Sequence, residues 1–92
     1  SNLRAMPGAK LTLSAEGTSD PDGDEFSIRW WQYREAGSYE GIVEIEKADT
    51  ERATLTVPED VGKGETIHVI VEVTDSGTPA LTRYQRVVIE TD

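Results

Sequence analysis

Three carboxylates at alternate positions are the first residues whose spacing could do chemistry. Asp20, Asp22 and Asp24 lie in the turn S-D-P-D-G-D that starts at Ser19. Oxygens placed this way suit a hard cation such as Ca2+. The EF-hand version of such a loop also needs glycine at its sixth position and glutamate at its twelfth. Here Gly23 is fourth and Trp31 is twelfth, so that motif fails. Another route stays open. Asp75 stands in a later turn that, in a β-sandwich, reaches the same end of the molecule, where it would add a fourth carboxylate. The competing reading is turn chemistry, in which Asp side chains accept backbone N–H groups. No cofactor is implied apart from this conditional Ca2+.

The second candidate is aromatic. Phe26, Ile28 and Trp30 alternate with Ser27, Arg29 and Trp31. Period-two alternation sends one set inward and the other outward, so Arg29, Trp31 and Tyr33 are expected outside. A slip of one residue would exchange Trp30 and Trp31. In a sandwich this strand neighbours the last two. His68, Ile70 and Glu72 should then lie beside it, with Tyr84, Arg86 and Val88 beyond. Trp31, Tyr33, Ile70, Tyr84 and Arg86 would form a partly apolar strip. Three uses are open for it: docking on another domain or a second copy, plain strand packing under extended Arg stems, or stacking on the apolar faces of sugar rings.

Nothing in the chain builds an enzyme. His68 is the sole histidine and is expected to face solvent. No G-x-S-x-G, H-E-x-x-H or phosphate-cradling glycine loop occurs. Glu44 and Glu46 share one strand face, whereas glycoside chemistry needs carboxyls across a cleft. They read better as a charged edge that discourages strand-to-strand aggregation. With no cysteine there is no disulfide, thiol nucleophile or thiolate metal site. The balance of 18 acidic to 9 basic residues, a net charge of −9, argues against nucleic acid or an anionic membrane as partner. No apolar run approaches the roughly 20 residues of a membrane span.

The elements that must position these residues are short strands. K-L-T-L-S-A (from Lys10), I-V-E-I-E (from Ile42), A-T-L-T-V (from Ala53), the run Ile67 to Thr74 and Y-Q-R-V-V-I-E (from Tyr84) join the aromatic strand in alternating apolar and polar residues. Gly, Pro, Asp and Ser punctuate them at 19–24, 36–41, 58–64 and 75–79. This pattern predicts an all-β, immunoglobulin-like two-sheet β-sandwich of about seven strands. Leu11, Leu13, Ile28, Trp30, Leu55, Val57, Val69, Val71 and Val73 are its expected core. Residues 1–7 are expected to be a tag remnant and linker, with Ser1-Asn2 as a protease scar, and 8–92 the domain.

Two of these stretches resemble known folds. S-D-P-D-G-D-E-F-S-I-R-W (Ser19 to Trp30) and V-E-V-T-D-S-G-T-P-A-L-T (Val71 to Thr82) resemble PKD-like and cadherin-like immunoglobulin folds. Cadherin-like relatives bind calcium between domains, and a calcium-binding adhesion or spacer module is the alternative that likeness implies. W-W-Q-Y-R-E-A-G-S-Y (Trp30 to Tyr39), L-T-V-P-E-D (Leu55 to Asp60) and the run Thr66 to Val87 together resemble the C-terminal immunoglobulin-like domain of a bacterial cellulose-binding protein family. Its N-terminal domain resembles nucleoside hydrolases. The resemblance implies a non-catalytic accessory domain of a secreted or periplasmic protein concerned with polysaccharide. Its expected partners are that N-terminal hydrolase-like domain and a polysaccharide.

Overall fold

A computed structural model describes residues 2–15, 26–77 and 79–92. Seven strands run in chain order: β1 (Asn2–Ala5), β2 (Lys10–Ser14), β3 (Phe26–Gln32), β4 (Glu44–Glu46), β5 (Arg52–Thr56), β6 (Thr66–Asp75) and β7 (Thr82–Thr91). They form a four-stranded sheet in the order β1-β7-β6-β3 and a three-stranded sheet in the order β2-β5-β4. Pairing is antiparallel except between β1 and β7, which run parallel. This is the two-sheet sandwich that the alternation predicts.

The core lies between the sheets. Ile28, Trp30, Ile67, Val69, Val71 and Ile89 come from one side, and Leu13, Ala53 and Leu55 from the other, with Val57 just beyond β5. Seven of the nine expected core residues are buried; Leu11 and Val73 are half-buried and pack against the same cluster. Burying these apolar faces is what holds two amphipathic sheets together without a disulfide. Trp30 ties the layers in a second way. Its backbone N–H donates to Ala48 O at 2.7 Å and its indole N–H to Thr50 O at 2.8 Å. The turn after β4 therefore caps the free edge of β3.

The start of the chain corrects an expectation. Asn2–Ala5, expected within the linker, form β1. They pair in register with Val88–Thr91, the Asp92 N–H donates to Ala5 O, and Ala5 is buried. The pairing is parallel and joins the two ends of the chain, so no local turn announces it.

Candidate functional site

The register of the four-stranded sheet decides which side chains share its outer face. Trp31 pairs with Ile70, and Ile70 with Arg86; Arg29 pairs with Glu72, and Glu72 with Tyr84; His68 pairs with Val88. Trp31, Ile70, Tyr84 and Arg86 thus stand on one face, with Trp30 on the other. Tyr33 follows β3 and extends its line: its N–H donates to His68 O at 2.8 Å.

Four of the five expected contact residues form a cluster. The Trp31 and Tyr33 ring centroids are 5.7 Å apart at 48°. The Trp31 indole N–H donates to Glu72 Oε1 at 2.6 Å, fixing the ring. Arg86 reaches back across β6 and sets its guanidinium carbon 5.7 Å from the Tyr33 centroid, a cation–π distance. Ile70 lies between its cross-strand neighbours Trp31 and Arg86 and is only 6% exposed, although it belongs to no part of the inter-sheet core. The fifth residue, Tyr84, stands apart at 66% exposure, next to Glu72 across the strands. Beyond it the Thr74 and Thr82 hydroxyls share a hydrogen bond of 2.9 Å.

The charges on this face differ from those of the chain. Arg4, Arg29 and Arg86 stand against Glu72 and Glu90, on a chain whose net charge is −9. All the basic residues here are arginine. Aromatic residues and arginine are what protein interfaces favour, and lysine is what they avoid.

His68 departs from its expected solvent exposure. It is half-buried, and its Nδ1 is buried without a hydrogen-bond partner. Burial first, and then the positive charge of Arg86, hold its pKa below the ordinary histidine value. The alternation alone put His68 on the outer face; the arm of Arg86 over β6 was not legible in it.

The carboxylates divide. Asp20, Asp22 and Asp24 lie outside the described residues. Asp75 closes the β6–β7 connection: its Oδ1 accepts the N–H groups of Gly77 and Leu81, each at 3.0 Å. Those two donors, Leu81 first, hold its carboxyl below the usual range. Among the described residues no group of acidic or histidine side chains converges as a metal site. Glu44 and Glu46 are exposed on β4, at an edge of the three-stranded sheet.

The loop between β3 and β4 was visible in the sequence only as a break. The Tyr39 hydroxyl donates to Asp60 Oδ1 at 2.9 Å, and that hydrogen bond to a carboxylate is the main reason its pKa is raised. Gln32 holds the loop from the strand side, donating to Gly41 O at 2.9 Å and accepting the Val43 N–H at 2.8 Å.

Comparisons with known proteins agree with this architecture. The profile of the family described as cellulose-binding protein Sde0182, C-terminal domain, matches residues 10–91. A solved nucleoside hydrolase-related protein from Saccharophagus degradans, described as associated with carbohydrate metabolism, superposes with a TM-score of 0.92 at 38% identity. That match takes in 99% of this chain and 22% of the relative, so the chain spans about a fifth of the relative's length. The PKD domain of the KIAA 1837 protein superposes with a TM-score of 0.63 at 23% identity, over 99% of this chain and 79% of that one, a likeness of fold alone. No curated protein matches. With the profile running from β2 to the end of β7, the chain belongs to the family of C-terminal domains of cellulose-binding protein Sde0182.

Proposed function

We propose that this is a non-catalytic accessory domain that docks through the outer face of its four-stranded sheet onto a hydrolase-like domain of the same protein. The observation that carries the reading is the Trp31–Tyr33–Ile70–Arg86 cluster with Tyr84 beside it, an aromatic and arginine-rich surface on an otherwise acidic chain. The occupant is argued from the relative, in which this fold is 22% of a nucleoside hydrolase-related chain. The family's cellulose-binding description supports a secreted or periplasmic setting.

Sugar stacking is the second reading. It has one observation of its own: Tyr84 is open to solvent, beside Glu72 and the Thr74–Thr82 hydroxyl pair. A single ring flanked by polar groups can cover one sugar face. The Trp31–Tyr33 pair is less suited to a flat polysaccharide surface, because rings tilted by 48° do not form one plane. Mixed with insoluble cellulose, the isolated domain should therefore remain in the supernatant. Sedimentation with the cellulose that Tyr84→Ala abolishes would establish the second reading in place of the first.

A further inference from the structure

The docking face holds a titratable group in an unusual position. Tyr33 lies on the β3 side of β6 and Arg86 on the β7 side, yet the guanidinium lies 5.7 Å from the Tyr33 ring. The Arg86 side chain must therefore span β6, where His68 and Ile70 stand on the same face. On this face His68 Nδ1 is buried and has no hydrogen-bond partner, and Arg86 is close enough to act on the imidazole electrostatically. Neutral imidazole tolerates this, since one ring nitrogen carries no proton. Imidazolium does not: both nitrogens become donors, and a second positive charge appears beside Arg86.

Among the described residues no carboxylate is hydrogen-bonded or ion-paired to the His68 side chain. On β6, Glu72 is two cross-strand rows away and accepts the Trp31 indole N–H. On β7, Glu90 pairs with Arg4 of β1 at 3.8 Å. On the β3 side the neighbour is Tyr33, and in the loop after it Arg34 donates to Glu40 O while Glu35 is exposed.

We propose that the docking face is acid-sensitive, with His68 as the group that takes up the proton: charging the imidazole drives Arg86 off the Tyr33 ring and loosens the surface. The proposal rests on the docking reading for its consequence, though the switch itself lies within this chain. The direction follows from linkage. A histidine held below its ordinary value stays neutral in the folded domain while the unfolded chain is already protonated. Its contribution to stability is complete above the unfolded value of about 6.5 and is lost as pH falls towards the lowered folded value.

The test is a proton NMR titration of the 92-residue chain from pH 8 to 5, following the rings of His68 and Tyr33 and the Arg86 Nε–H. His68 should titrate with a midpoint below about 6.5, and the Tyr33 and Arg86 signals should move with that same midpoint. Arg86→Met should raise the midpoint and leave the Tyr33 ring indifferent to pH. Tyr33 signals that stay still while His68 titrates, or a midpoint at the ordinary value that Arg86→Met does not change, would overturn the proposal. The experiment contains no hydrolase-like domain, so a failure of docking cannot be mistaken for a failure of the switch.

Discussion

Trp30→Ala is expected to cost the domain about 3–5 kcal/mol, the range for removing a large aromatic from a packed core. The indole is only 3% exposed and sits between the sheets. Its loss leaves a cavity and also removes the N–H bond to Thr50 O that holds the turn after β4. For a domain near 100 residues each kcal/mol lowers Tm by about 4–8 °C, so Tm should fall by about 12 °C or more. The neighbouring Trp31→Ala should cost less, about 1–2 kcal/mol, since its ring is half-buried on the outer face, where the bond to Glu72 and the ring contact with Tyr33 are lost but no inter-sheet cavity opens. Urea denaturation of the two variants reads the register directly. Equal losses, or a larger loss at Trp31, would show that the wrong tryptophan has been placed inside.

Gly41→Ala carries the second large effect. A Cβ at this position would overlap the hydroxyl end of the Tyr39 ring. That ring has little room to retreat: it is 9% exposed and its hydroxyl is held by Asp60. Gly41 itself is tethered by Gln32. Overpacking of this kind costs about 1–3 kcal/mol. Gly62→Ala is the matched control, because the nearest atom to its new Cβ lies at 3.6 Å, an ordinary contact. Thermal melts should separate the two glycines clearly; a Gly41 variant as stable as the Gly62 variant would mean that the loop yields and Tyr39 is not a fixed post.

The two tryptophans also show how far the sequence could be read. Alternation in F-S-I-R-W-W was enough to send Trp30 in and Trp31 out, because a sheet with one buried face tolerates no slip. The same periodicity, with the strand order of a sandwich, puts Ile70, Tyr84 and Arg86 on the face of Trp31, where the register has them. What it could not supply were contacts made by long side chains across several strands. The Arg86 arm over β6, the burial of Ile70 outside the core and the orphaned His68 Nδ1 are all of this kind. Strand β1 escaped for a related reason. N-L-R-A is only four residues, the Pro7-Gly8 turn after it leads to β2 in the other sheet, and its own partner lies at the other end of the chain. The hold of Asp75 on Gly77 and Leu81 was legible as turn chemistry, since Asp oxygens commonly take backbone N–H groups a few residues on.

Whether the outer face is covered when a hydrolase-like domain is attached decides between a docking module and a free one. The chain has no cysteine, so one introduced thiol is unique within the domain. Arg29→Cys places it on the outer face of the four-stranded sheet, and Glu46→Cys places a control at the exposed edge strand of the other sheet. Maleimide labelling is then followed by peptide mass spectrometry in the isolated domain and in a chain that also carries the hydrolase-like domain. Docking predicts that labelling at position 29 slows by about tenfold or more in the longer chain, as for a surface covered most of the time, while position 46 is unchanged. Equal labelling of position 29 in the two chains would contradict docking through this face.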